Sequence, residues 1–266
     1  MSELQRLRDA MRFLTQHLPG ATELAEIAEQ GSVVLDSQRQ EDAEKVLTGK
    51  KDKIYNQTEF QKALDEFRRR NFCNLEIGRL YERYIGYLHE IDEWRVSYTG
   101  VLGGFEDLGR DLICIRGNEH LVIQTKCWSQ KKEIHEKHIY QLHSTVTHYR
   151  LQLREAMQLQ RGKAKTKEFM RNLKISGKFY STTSLSETAS KVARHVAVDF
   201  KNEPLKKDYP MIKCNISKVT GEKKYHLPFD PQYDSIIIGN VDGELYVHTV
   251  AEAEAKSFRR VGYILM

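Results

Sequence analysis

Cysteine is scarce in this chain of 266 residues, and what there is does not pair. Cys73, Cys114, Cys127 and Cys214 contain no Cys-x-x-Cys unit and no zinc-type spacing. A disulfide framework and a zinc-built domain are therefore set aside, and reduced, largely buried thiols are expected. His135, His138, His143 and His148 are scattered through one predicted helix; His138 is not four residues from another histidine, and His143 and His148 are five apart, which argues against a helical zinc site. No basic-then-apolar leader opens the sequence, and no apolar run nears the length that spans a bilayer. A cytoplasmic protein with no membrane contact is the expectation. Internal repeats and low-complexity tracts are missing as well.

Charge of one sign is also in short supply: 42 Lys and Arg stand against 37 Asp and Glu, a net +5. The excess is concentrated, because residues 126–178 hold thirteen Lys and Arg and only four Asp and Glu. Such a segment suits either a polyanionic partner or the solvated face of a helix. What the sequence does have is enough apolar content, 40%, for a real core, and a length that fits one large domain or a core with appendages.

The most informative stretch is Asp111-Leu-Ile-Cys-Ile-Arg-Gly-Asn-Glu-His-Leu-Val-Ile-Gln-Thr-Lys126. Two apolar runs flank Gly117-Asn118, the pattern of a tight β-hairpin. With those two residues as the turn, Arg116 faces Glu119 and Asp111 lies opposite Gln124. Alternation then sends Asp111, Gln124 and Lys126 to one side and Leu112, Cys114, Leu121, Ile123 and Thr125 to the other. A carboxylate, an amide and an amine at the end of a buried hairpin form either a simple ion pair or a binding site.

Around this hairpin the chain reads in order. Residues 2–18 carry a heptad-like apolar seam that could zip to a second copy or pack on a later helix near residues 43–47. A polar helix is expected over 38–53 and an amphipathic one over 56–70. Residues 75–90 form a strongly apolar helix in which Gly78, Glu82 and Gly86 share a ridge. Two glycines inside a helix imply close approach of its backbone to a sheet, with Glu82 projecting between; alternatively Glu82 is a surface partner of Arg79 or Arg83. Residues 94–99 alternate as a strand, and 103–110 form an acidic, glycine-rich connection. After Lys126 comes a long helix over 133–160, a basic loop over 161–167, a strand over 178–182, a helix over 187–194 opened by a Ser184/Glu187 capping box, and a strand over 196–200. Beyond residue 208 short strands at 213–217, 225–227, 236–238 and 244–248 and a helix at 251–256 make a small β-rich module, suited to target recognition, docking or simple capping.

The succession of Gly78-Arg-Leu-Tyr-Glu82 on a helix, Gly109-Arg-Asp111-Leu-Ile, Val122-Ile-Gln124-Thr-Lys126-Cys-Trp128, a basic helix and the Phe179-Tyr-Ser-Thr-Thr-Ser184 β-α-β unit resembles the PD-(D/E)xK restriction-endonuclease-like superfamily, with the Mrr-like branch closest. The likeness covers residues 78–205. It implies an α/β fold, a mixed sheet flanked by helices, with a helical region at 1–74, a nuclease domain at 75–207 and the β-rich module at 208–266. It further implies a metal-dependent endonuclease acting on DNA in restriction or defence against foreign DNA, with Mg²⁺ or Mn²⁺ as cofactor and a homodimer for cutting both strands. Asp111 would be the main metal ligand, Gln124 would offer an oxygen, Glu82 would support the ion, and Lys126 would act on the attacking water or the phosphate. Gln141 would be an accessory residue. Lys131, Lys132, Lys163, Lys165 and Lys167 are the candidate phosphate contacts. Gln124 replaces the carboxylate most members carry, which keeps open a catalytically weak or inactive nucleic-acid-binding protein of the same fold. A third reading is a helical adaptor acting through its N-terminal seam.

Overall fold

The computed structural model describes residues 57–99 and 109–261. The seam expected over 2–18, the helix over 38–53 and most of the glycine-rich connection lie outside those residues. The chain forms a mixed α/β fold with two mixed sheets flanked by helices.

The first sheet has the order β1 (Arg95–Tyr98), β2 (Leu112–Arg116), β3 (Glu119–Lys126), β4 (Lys174–Ser181), β5 (Val198–Asn202). β2 runs antiparallel to both β1 and β3; β3, β4 and β5 are parallel. The β2–β3 register follows from the turn: Gly117 takes φ +58, the left-handed conformation a two-residue hairpin loop needs at its first central position. Arg116 then pairs with Glu119, and the ladder runs to Leu112 opposite Ile123. Both faces of this hairpin are buried. Ile113, Ile115 and Val122 pack in one cluster with α3 (Glu136–Asn172) and α4 (Glu187–His195), while Leu112, Cys114, Leu121 and Ile123 pack in another with α2 (Asn74–Glu90).

The two glycines of α2 differ. A Cβ on Gly86 would lie 2.2 Å from the hydroxyl oxygen of Tyr98, whose ring is buried on β1, so here the helix does press on the sheet. Gly78 has nothing within 4 Å, and it faces open space. The expected basic loop at 161–167 is helical instead. α3 continues through it, broken only at Gly162 (φ +77, ψ +166), because the following segment is anchored by the partly buried Phe169 and Met170 and by Thr166, whose hydroxyl donates to the Gly162 carbonyl at 2.8 Å. Ser186, not Ser184, caps α4 by accepting from the Ala189 amide. Residues 236–238 are not a strand: the Ile236 carbonyl accepts from the Lys213 ammonium at 2.6 Å, and the Ile238 amide donates to Glu90. Side chains from other elements thus satisfy backbone groups that a ladder would have used.

The second sheet runs β8 (Leu245–Val247), β6 (Ile212–Ile216), β7 (Lys223–His226), β9 (Arg259–Arg260). Its core contains Phe60 and Leu64 of α1 (Gln57–Arg69) as well as Val250 and Ala253 of α5 (Val250–Ala255). α1 therefore packs with the C-terminal sheet. That sheet is tied to α2 by polar links out of water: Arg83 makes a two-pronged ion pair with Asp234 at 2.6 and 2.8 Å and also donates to the Pro228 carbonyl. The Lys213 ammonium, fully buried, lies 3.8 Å from Glu90 and over the rings of Tyr98 and Tyr233.

Gly86→Ala overpacks the α2–β1 contact and is expected to lower stability by about 1–3 kcal/mol, whereas Gly78→Ala is expected to be neutral or to gain up to ~1 kcal/mol of helix propensity; denaturant melts of both variants check the contrast. The buried histidines His89, His120 and His226 each contact a polar partner (Tyr180, Tyr149 and Asn215), and burial pushes each imidazole down to about 4. Below about pH 6.5 these histidines take up protons in the unfolded chain and stay neutral in the folded one. Stability should therefore be at its plateau above that pH and fall by several kcal/mol toward pH 4, at roughly 1.4 kcal/mol per pH unit for each histidine. Chemical denaturation across pH 4–8 reads this directly, and His120→Gln should flatten part of the slope.

Candidate active site

Asp111 sits where β2 begins. Its backbone amide donates to the Ile123 carbonyl at 2.8 Å, and its own carbonyl accepts from Thr99. The β2–β3 ladder ends one residue later, at Leu112 opposite Ile123, so Asp111 bonds to the residue that already faces Leu112 and is not paired with Gln124. Its carboxylate accepts from the Thr125 amide at 2.6 Å and from the Thr125 hydroxyl at 3.1 Å. Two donors on one oxygen fix the carboxylate's direction.

Asp111 lines a cleft of about 460 Å³ together with Glu82 and Gly78 of α2 and with Lys126, Cys127, Trp128 and Lys132 at and beyond the end of β3. The bare ridge at Gly78 leaves this cleft open beside Glu82. Two carboxylates and two lysines therefore line one space. The loop after β3 is held by the end of β4: Thr182 accepts from the Trp128 amide and donates to its carbonyl at 2.9 and 2.7 Å, and Thr183 donates to the Lys132 carbonyl. Trp128 packs against the core with its ring edge-on to His138, and the Lys132 ammonium lies 5.7 Å from its ring centre. Burial first, and then the nearby charge of Lys126, hold the His138 imidazole below its usual value.

Gln124 is placed differently. It is 2% exposed and does not line the cleft; its amide nitrogen donates to the Gln141 side chain of α3 at 3.4 Å. Its carbonyl oxygen is buried with no hydrogen-bond partner. A buried acceptor left without a donor is costly, and a cation is one group that would relieve it. Gly109 lets Gln141 come this close: it adopts φ +75, and a Cβ there would lie 2.4 Å from the Gln141 amide nitrogen.

The candidate residues are thus brought together unevenly. Glu82, Asp111, Lys126 and Lys132 share the cleft, and Gln124 and Gln141 meet behind it. Lys131 is exposed in the loop beside Lys132. Lys163, Lys165 and Lys167 are exposed on the last segment of α3, which leads into Lys174 beside Asn118 at the hairpin turn. That is the opposite end of β3 from Lys126, roughly 23 Å along the strand. Thr125, Thr182 and Thr183, which hold the cleft's walls, were not among the residues expected there; the run of Ser and Thr ending β4 was their only signal.

Among the described residues no group of three or more His, Cys, Asp and Glu gathers. The oxygen donors that line the cleft are the Glu82 and Asp111 carboxylates; the orphaned Gln124 carbonyl lies outside it. Such a set fits a hard divalent cation that keeps several of its own waters, and not a thiolate- or imidazole-bound ion.

Gly109→Ala is expected to cost about 1–3 kcal/mol, from the left-handed backbone and the clash with Gln141. Gln141→Ala in the same chain should recover the clash portion and leave the backbone portion, which a double-mutant cycle by denaturant melts resolves. Comparison with family models, with curated proteins and with solved structures finds no match to this chain.

Proposed function

We propose that this protein is a metal-dependent endonuclease that hydrolyses phosphodiester bonds in DNA, acting in restriction of foreign DNA. The observation that carries the reading is the joint lining of one cleft by Glu82, Asp111 and Lys126. The buried, unpartnered Gln124 oxygen at the same end of the hairpin supports it. Asp111 and Glu82 would hold a Mg²⁺ or Mn²⁺ ion, and Gln124 would add a neutral oxygen only on turning from Gln141 toward the cleft. When bound, the ion supplies neutralisation of the phosphate and a more acidic water. Asp111, oriented by Thr125, sets the direction from which the phosphate is approached. Lys126 stabilises the charge that builds on the phosphate or orients the attacking water. Lys132 and Lys131, at the cleft's rim, position the nucleic-acid backbone without reading its sequence.

One feature favours a second reading, a nuclease-fold protein that binds DNA without cutting it. The Gln124 amide is turned to Gln141 and buried out of the cleft, and it brings no negative charge to the ion. Nicking of supercoiled plasmid with Mg²⁺ or Mn²⁺ separates the two. Under the first reading the wild type nicks, and Asp111→Ala and Lys126→Ala each lose at least about a hundredfold in rate, the usual scale for a group acting in the transition state. No product from the wild type in either metal, on modified and unmodified DNA, together with salt-sensitive binding that Asp111→Ala leaves intact, would contradict cleavage and favour the second.

A further inference from the structure

The first sheet has two edges, and they are treated differently. Along β1 the short 3-10 turn Tyr233–Ser235 packs against the strand, and the buried Lys213 ammonium sits 4.8 Å from the Tyr98 ring centre. Beyond β5, by contrast, no described strand or helix pairs with the outer backbone.

The hydrogen bonds to β4 fix which backbone groups of β5 are free. The Glu203 amide donates to the Ser181 carbonyl of β4, so odd-numbered residues turn their backbone groups inward. Those of Val198, Phe200 and Asn202 therefore point outward. A strand that presents outward groups on alternate residues is a template for another strand.

Its side chains are self-complementary about Phe200. In an antiparallel pair of two copies centred there, Phe200 meets the partner's Phe200, Val198 meets the partner's Asn202, and Asp199 meets the partner's Lys201 twice over. The hydrogen-bonded positions of such a pair are 198, 200 and 202, the residues whose groups are free. Asp199 and Lys201 are both exposed. On the same face Asp199 neighbours Lys178 of β4, and Lys201 lies 2.7 Å from Glu203, so the paired edges would carry alternating charge. Phe200, Leu185, Ala193 and Val198 border a groove of about 390 Å³ that Arg194 and Asp199 also line. That groove is where a partner's Phe200 would come to rest.

We infer that β5 is a self-association edge: two copies of this chain pair antiparallel through Val198–Asn202 and join their five-stranded sheets into one. The inference is independent of the nuclease reading. Its occupant is a second copy because the charge order along the strand matches its own reverse.

Sedimentation equilibrium on the full chain, with charge variants, tests it. The wild type is expected to show a monomer–dimer equilibrium. Asp199→Lys places Lys opposite Lys, and Lys201→Asp places Asp opposite Asp; each should raise the dimer dissociation constant about tenfold through two like-charge contacts. The combined Asp199→Lys/Lys201→Asp chain restores opposite charges and should return to near the wild-type value. Amide exchange at Val198, Phe200 and Asn202 should slow as the wild type dimerises. A wild type that stays monomeric at every concentration overturns the inference. So does a dimer whose affinity the single charge changes leave alone, or one that the double change fails to restore.

Discussion

The register of one hairpin governs everything proposed for the cleft. Gly117 in its left-handed conformation closes the β2–β3 turn in two residues, and that turn sets Leu112 opposite Ile123, with Asp111 at the next position bonded to the Ile123 carbonyl. A slip of one residue would exchange the two faces of both strands. Ile113 and Val122 would then leave the α3 cluster for the α2 side, and Asp111 would lose Thr125 as its partner. Because both faces are packed, the cost of a slip falls on two cores at once. The placement of the polar groups at the strand ends is therefore enforced by apolar residues several positions away.

α2 is the second fixed point. Its middle presses on β1 through Gly86, its N-terminal half lines the cleft through Gly78 and Glu82, and its far side holds the C-terminal sheet. The links on that far side are ionic and buried, and such pairs gain little stability over an apolar contact. Burial raises the Glu90 carboxyl and lowers the Lys213 ammonium, so both are drawn toward their neutral forms. Removing one partner, however, leaves the other stranded out of water. The arrangement thus selects a single docking of the second sheet on α2.

Much of this was legible in the sequence where periodicity and turn chemistry agree. The hairpin, its register and the apolar helix 75–90 rest on local patterns that tertiary packing reinforces. Elsewhere distant partners decided the outcome. Residues 236–238 have the β-branched composition of a strand, but Lys213 and Glu90 occupy their backbone groups. The lysine-rich segment after Arg161 reads as a loop on charge alone, yet its helix formers and the Phe169–Met170 anchor prevail. Alternation put Gln124 on the side of Asp111 and Thr125 on the other, but the regular pairing stops at Leu112 and Ile123: the Asp111 carboxylate joins Thr125, and Gln124 turns to Gln141 out of the cleft. The role of Gly109 was equally hidden, since it depends on Gln141, a residue of a helix that begins well beyond it in the chain.

The central claim is that the end of this hairpin, with Glu82 beside it, holds a divalent cation. Mn²⁺ binding followed by electron paramagnetic resonance, without any nucleic acid, addresses it most directly. The expected result is a saturable site in the wild type that Asp111→Asn abolishes and Glu82→Gln weakens, with folding unchanged by circular dichroism. Saturable binding that survives Asp111→Asn at full strength, or no saturable binding at all, would contradict the account.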